Sequence, residues 1–264
     1  MSHEHIVVDE PAPTIRRITM NRPEKRNAIS TPMRVEMIGA LEDHDRDPDV
    51  RVTIIRGAGP CFSSGYDLTS GGLMTDAPFH SAGGDGQWAR HVTESWLQLW
   101  DLAKPVIAQI HGYALAGATE LAAACDLVYV ADDAEVGHPV VKMLSPPDFN
   151  YHPWLVGVRH AMELMLTGDA IDGRTAAEIG FANRSFPADQ LEDSVMEIAG
   201  RVAKVAPDLQ QINKRAVRRG MEVMGMRTAI RGATEMQALA QHVPSVQELK
   251  KNALANIKRA VKDD

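Results

Sequence analysis

Two glycine-containing stretches carry the strongest chemical signal in this chain, GAGPCFSSGYDL at residues 57–68 and HGYALAGATEL at residues 111–121. Each follows a strand-like run, so each turn is placed to leave main-chain N–H groups outside a ladder. If the Tyr66 N–H of the first turn and the Gly117 N–H of the second converge, they form a two-donor cradle for a developing oxyanion. In such a device one donor is worth about 3 kcal/mol of barrier. Gly117 also falls where a helix would begin, and the positive end of a helix suits an anion. Spacing alone favours the plainer reading, two ordinary strand-to-helix turns.

The other common signatures are missing. No HExxH, GxxxxGK[ST] or GxSxG pattern occurs. Gly57-Ala58-Gly59 begins like a dinucleotide fingerprint, but Phe62 stands at the third glycine position. Cys61 and Cys125 form no CxxC pair or Cys/His cluster, so no zinc site, haem attachment or disulfide framework is expected, only buried thiols. Lys plus Arg number 28 against 35 Asp plus Glu, a net charge of −7, which provides no global field to gather nucleic acid or an anionic membrane. No run approaches the roughly 18 apolar residues of a membrane span. The N-terminus opens with His and Glu rather than a basic patch, and a cytoplasmic protein is expected.

The elements that must position the two turns read as an alternating α/β chain. At 264 residues and 44% hydrophobic composition, a core forms without metal or disulfide staples. Strand-length apolar runs cover residues 4–8, 14–20 and 50–56. Between the last two, Thr31-Pro32 signals a helix start, Met33, Met37 and Leu41 follow on one face, and Asp47-Pro48 ends it. Further strands are predicted at residues 105–110 and 127–131, and this order favours a sheet fed by crossover helices.

After about residue 158 the pattern predicts helices alone. Leu191, Val195, Ile198 and Val202 trace one face, Leu209, Ile212, Ala216 and Val217 a second, and Val246, Leu249, Leu254, Ile257 and Val261 a third. Gly168 and Gly180 sit where helix C-caps belong. Residues 69–88 are the one long irregular segment, expected to be functional or mobile. Met74 and Phe79 within it, with Trp96, Met143 and Trp154, are either pocket or core residues.

NRPEKRNAIS at residues 21–30, the two glycine turns with the following LAAACDLVYV, and LTGDAIDGRTAAEIGFAN at residues 166–183 resemble the enoyl-CoA hydratase/isomerase family, the crotonase superfamily. The resemblance runs from about residue 6 to 205, with the motifs in order and register. It implies a crotonase-like ββα spiral core over residues 1–205 and a helical C-terminal region at 206–264 used to assemble a homotrimer or a dimer of trimers. It also implies a coenzyme A thioester as substrate, so that coenzyme A enters as part of the substrate and no cofactor is permanently bound. Carried over by position, the oxyanion donors fall on Tyr66 and Gly117, as the residue types already suggested. Arg26 and Ala28 match the nucleotide end, and Ser64, Gly65, Asp67 and Leu68 match the turn that receives adenine and pantetheine.

The family resemblance implies two glutamates. Glu120 matches the first; the second position, after Pro139, holds Val140, which cannot move a proton. Adding water across a double bond needs a base and an acid, so a substitute is sought in the acyl-pocket loop SPPDFNYHPW, at Asp148, Tyr151 or His152, or at His138. Asp148 and His152 are favoured as a pair able to titrate near neutral pH. A Ser-His-Asp hydrolase through Ser63, Ser64 or Ser145 has no nucleophile elbow to support it. The expectation is therefore a hydratase or isomerase. Thioester hydrolysis, C–C cleavage and decarboxylation stand next, and a non-catalytic CoA-binding oligomer is the rival.

Overall fold

The structure, a computed structural model, describes residues 3–67, 84–249 and 251–252. Continuous apolar runs make strands that are buried on both faces, the demand of a parallel sheet covered by helices. β4 (Val106–Ile110) is buried at every position, and β3 (Val52–Gly57) at all but one. With β1 (Ile6–Ala12), β2 (Ile15–Met20), β6 (Leu127–Ala131) and β9 (Arg184–Phe186) they form a six-stranded sheet in the order β1-β2-β3-β4-β6-β9. Only the β1–β2 pair is antiparallel. A smaller sheet pairs β5 (Tyr113–Leu115), β7 (Glu135–Gly137) and β8 (Ile171–Asp172), with β7 in the middle.

Helix α1 (Thr31–Arg46) starts where Ser30 Oγ accepts from the Met33 N–H at 3.3 Å, and it buries Met33, Met37 and Leu41 as the spacing predicted. α2 (Gln87–Asp101) and α3 (Gly117–Ala124) pack against each other, and Trp96 and Trp100 of α2 are buried in the core. α4 (His152–Leu155) and α5 (Gly157–Thr167) follow, and Gly168 caps α5 in the left-handed conformation. α6 (Gly173–Glu178) has Ile179 at its C-cap, with Gly180 next at φ 90°. α7 (Leu191–Ala203) packs across β2, β3, β4 and β6, burying Leu191, Val195 and Ile198.

The tail is not helical throughout, as the pattern had predicted. β8 and β9 lie in it, and β9 extends the main sheet by pairing Tyr129 with Arg184 and Ala131 with Phe186. Strands of two and three residues leave no period to read. α8 (Pro207–Val223) starts on its proline, but its predicted apolar face is exposed: Leu209 at 54%, Ile212 at 59% and Val217 at 69%. Polar contacts hold α8 instead, with Lys214 Nζ donating to the carbonyls of Leu99 and Lys104 and pairing with Asp126 at 2.8 Å. α9 (Met226–Ala240), which no periodicity announced, docks on α2 through Arg227–Asp101 and Arg231–Glu94 pairs. Both cysteines are buried free thiols. Among the described residues, no helix is long and apolar enough to cross a membrane and no cluster of His, Cys, Asp and Glu could hold a metal.

Candidate active site

The two glycine turns are stitched together by main-chain hydrogen bonds. The Phe62 N–H donates to the His111 carbonyl at 2.8 Å, the Ser63 N–H to Tyr113 at 3.0 Å, and the Leu115 N–H returns to Ser63 at 3.2 Å. Buried Asn27 holds the first turn from beneath, its Nδ2 donating to the carbonyls of Ala58 and Cys61 at 2.8 and 2.9 Å. Ser63 Oγ donates to the Asn27 carbonyl at 2.8 Å and accepts from the Gly65 N–H at 3.1 Å. Its hydroxyl is thereby tied to the backbone, which does not favour a nucleophilic role.

This stitching uses four amides near the two predicted donors. Ser64 N–H goes to the Arg26 carbonyl, Gly65 N–H to Ser63 Oγ, Asp67 N–H to Ile29, and Ala116 N–H to Gly137. Among the described residues, no main-chain carbonyl accepts from the N–H of Tyr66 or Gly117. The turns meet closely: a Cβ on Gly65, whose φ is +101°, would stand 3.2 Å from the Gly117 nitrogen and 2.8 Å from the Leu115 carbonyl oxygen. A Cβ on Gly117 would strike the Tyr66 ring at 2.5 Å. Ala116, in front of Gly117, is held at φ 51° and ψ −124°, a costly conformation for a residue with a side chain and one that aims the helix start.

Glu120, in the first turn of α3, is fully buried behind these amides. Its Oε2 accepts from the Tyr66 hydroxyl at 2.6 Å and its Oε1 from the Asp148 N–H at 3.0 Å. The Phe149 N–H is a further donor. Trp96 Nε1–H in turn donates to Tyr66 Oη at 2.8 Å, fixing the phenol with its proton toward Glu120. Burial lifts the Glu120 carboxyl from 4.5 to about 7, against the opposing pull of its donors. Burial and the Glu120 charge also push Tyr66 well above its ordinary value, so it stays a neutral donor.

A cavity of about 440 Å³ opens on this group and is lined by Ser64, Tyr66, Trp88, Ala116, Gly117, Glu120, His138, Val140, Ser145 and Asp148, and by Gln237 of α9. The predicted residues are thus only partly brought together. Tyr66, Gly117, Glu120, Ser64, Val140 and Asp148 share the cavity; Pro139 starts the short helical turn Pro139–Lys142 that carries Val140 to its wall. His152 is not among the lining residues. It stacks on Tyr151 at 3.9 Å and faces His138 at 6.4 Å, so it is not placed as the partner of Asp148. Arg26 is exposed with a left-handed backbone, and Ala28 accepts from Arg22 Nη1 at 2.9 Å. Asp67 is buried in an ion pair with Arg22 at 2.9 Å. Leu68, Met74 and Phe79 lie outside the described residues, as does most of the segment expected to be irregular. Trp96 is core, Trp154 half-buried and Met143 exposed.

Three side chains around Glu120 and Asp148 had gone unread: the Tyr66 hydroxyl because only its amide was considered, Trp88 because helix α2 was not predicted, and Arg34 because a charge on the predicted helix α1 reads as solvated. Trp96 was singled out as pocket or core, without its bond to Tyr66. Trp88 donates to the Asp148 carboxylate, and its ring lies 5.1 Å beneath the Arg34 guanidinium. Arg34 is 1% exposed, and its Nη1 and Nη2 have no hydrogen-bond partner among the described residues. Chemically, the arrangement offers, at one wall, two amides with no acceptor among the described residues and a carboxyl able to carry a proton near neutral pH.

The chain is similar to known proteins along most of its length. The family model for enoyl-CoA hydratase/isomerase matches residues 10–257. EchA13 of Mycobacterium tuberculosis is 35% identical over 243 residues, covering 84% of this chain and 76% of that protein. A hydroxycinnamoyl-CoA hydratase-lyase of Pseudomonas fluorescens is 31% identical over 210 residues, covering 78% and 75%. The crystal structure of an enoyl-CoA hydratase/isomerase from Xanthobacter autotrophicus Py2 superposes with a TM-score of 0.86 at 34% identity, covering 98% of this chain and 96% of that one. The chain belongs to the enoyl-CoA hydratase/isomerase family of the crotonase superfamily.

Proposed function

We propose that this protein hydrates, or shifts the double bond of, an unsaturated acyl-CoA thioester through an enolate. The Tyr66 and Gly117 N–H groups hold the thioester oxygen as negative charge develops, and Glu120 moves the proton at Cα or Cβ. One observation carries the reading: a buried carboxyl, raised toward neutrality, shares a cavity with two amides that have no acceptor among the described residues. In this reading Arg26, exposed near the first turn, meets the nucleotide phosphates, and Ser64 and Gly65 flank the pantetheine. The test is Glu120→Gln assayed on enoyl-CoA esters of graded chain length and double-bond position; unchanged turnover removes Glu120 from the reaction.

A second reading, C–C cleavage of a β-hydroxyacyl-CoA, is supported by the 31% identity to a hydratase-lyase. A product screen for a released aldehyde separates it from simple hydration. We also propose assembly into a trimer or a dimer of trimers, supported by exposed Leu209, Ile212 and Val217 on α8 and Val158, Met162 and Leu166 on α5. The solution mass from light scattering tests it, and a monomer rejects it.

A further inference from the structure

We propose that Asp148 is the second proton-transfer group of this cavity, the acid that works with Glu120 in place of the carboxyl absent at Val140. The inference rests on the enolate reading above and extends it to a named partner.

The geometry separates the two carboxyls by the donors each receives. Glu120 accepts from the Tyr66 hydroxyl, the Asp148 N–H and the Phe149 N–H, all of which favour its ionised form. Asp148 receives one side-chain donor, Trp88 Nε1–H, and its Oδ1 has no hydrogen-bond partner among the described residues. Asp148 is 7% exposed and lines the same cavity as Glu120, Tyr66 and Gly117. An unpartnered carboxyl oxygen buried at a cavity wall is costly unless it carries a proton or meets a ligand, and an acid of this pair does both in turn.

The charged and titratable groups facing Asp148 come from every packed element. Glu120 of α3 repels its anion, Arg34 of α1 attracts it, Tyr66 is neutral, and His138 lines the cavity as a neutral imidazole. Burial and the Glu120 charge outweigh Arg34, pushing the Asp148 carboxyl well above the usual carboxylate range. With one proton to share, Glu120, which receives more hydrogen-bond donors, is the base and Asp148 keeps the proton.

The hydration step then balances. Ionised Glu120 takes a proton from water as the oxygen bonds to Cβ. The double-bond electrons pass into an enolate whose oxygen is held by the Tyr66 and Gly117 amides. The enolate collapses by taking the Asp148 proton at Cα, leaving Asp148 ionised and Glu120 protonated, and a proton returns from Glu120 to Asp148 to close the cycle. For a β,γ-unsaturated substrate the same pair removes a proton at Cα and delivers one at Cγ.

The test uses two readouts on the full chain: hydrogen–deuterium exchange at Cα of butyryl-CoA in deuterated water, which needs the oxyanion cradle and the group that acts at Cα but no addition at Cβ, and hydration of crotonyl-CoA together with isomerisation of a β,γ-unsaturated hexenoyl-CoA. Asp148→Asn mimics the protonated acid in shape and charge. It should lower Cα exchange and turnover together, each about 100-fold or more, with the alkaline limb of the kcat–pH profile gone and the melting temperature unchanged. Turnover within about threefold of wild type overturns the proposal, as does loss of turnover with exchange unchanged, which would put the Cα proton on another group. Trp88→Phe guards against a variant that does not fold: it removes one donor from the Asp148 anion and should move the alkaline limb to higher pH, and an unmoved limb overturns the proposal. A wild-type protein with neither exchange nor turnover overturns the enolate reading and this inference with it, whereas exchange without an Asp148 effect removes the inference alone.

Discussion

Two buried titratable clusters lie side by side in this molecule, and burial drives them in opposite directions. Glu120 and Asp148 are carboxyls, so desolvation raises Glu120 to about 7 and Asp148 well above the usual carboxylate range. His138 and His152 are imidazoles, and the same desolvation lowers them to about 4 and about 3. At neutral pH the first pair is poised to transfer a proton and the second is silent. The contrast teaches that a histidine near a site is not its base by default: in a dry cavity the carboxyl is the group brought to working pH.

The largest effect should come from breaking the carboxyl cluster through its scaffold. In Gly117→Ala the new Cβ meets the Tyr66 ring at 2.5 Å, displacing both an oxyanion amide and the phenol that donates to Glu120. Loss of one such donor predicts a fall of about 100-fold in kcat with crotonyl-CoA, while the histidine pair, on other elements, keeps its acid response. Stopped assays with folding checked by circular dichroism decide it.

The two clusters also oppose each other in stability. Glu120 binds its proton more tightly folded than unfolded, so between pH 4.5 and about 7 the folded state holds more protons and stability falls as pH rises. His138 and His152 bind theirs less tightly folded, so below pH 6.5, down to about 4 and about 3, stability falls as pH drops. A shift of this size at His138 corresponds to on the order of 3 kcal/mol across its window. The wild type should therefore show partly cancelling slopes in urea unfolding between pH 6.5 and 4.5. Glu120→Gln should unmask a steeper acid loss, and His152→Asn a shallower one. Equal slopes in all three proteins would abolish the contrast.

A smaller change isolates one donor. Tyr66→Phe keeps the amide and the ring but removes the hydroxyl 2.6 Å from Glu120 Oε2. The ionised form loses a charge-assisted hydrogen bond, so the Glu120 carboxyl rises further and the acid limb of the kcat/KM profile moves to higher pH, with kcat down about tenfold. Trp96 Nε1–H, left without its acceptor, should show as altered tryptophan fluorescence.

How much of this was legible in the sequence depends on whether a feature is local. The Ser30-Thr31-Pro32 start of α1 and the β6 run at Leu127–Ala131 are local, and they stand where the pattern put them. Spacing alone favoured two ordinary turns at Tyr66 and Gly117, and only the family resemblance singled out their amides, because their closeness depends on main-chain bonds between residues 62–63 and 111–115. Arg34 was unreadable: a charge in an amphipathic helix reads as solvated, and it is buried here because Trp88 of α2 stacks on it. Gln237 reaches the cavity from α9, a helix that was not predicted. The helical pattern of α8 was visible, but Leu209, Ile212 and Val217 are exposed while Gln210 is buried.

The finest probe of the carboxyl cluster adds a group where the family resemblance expects one. Val140 lines the cavity that Glu120 and Asp148 share, so a carboxyl there enters the same desolvated space. In the wild-type background Val140→Glu should change turnover by no more than about threefold, because Asp148 already fills the acid role and a third carboxyl stays protonated. In the Asp148→Asn background the same substitution should recover about tenfold, since the cavity regains a proton donor. A large gain in the wild-type background would mean that the acid role was vacant, and would transfer it from Asp148 to position 140. Parallel crotonyl-CoA hydration assays on the two backgrounds separate these outcomes, because only a shared role makes the effect of one carboxyl depend on the presence of the other.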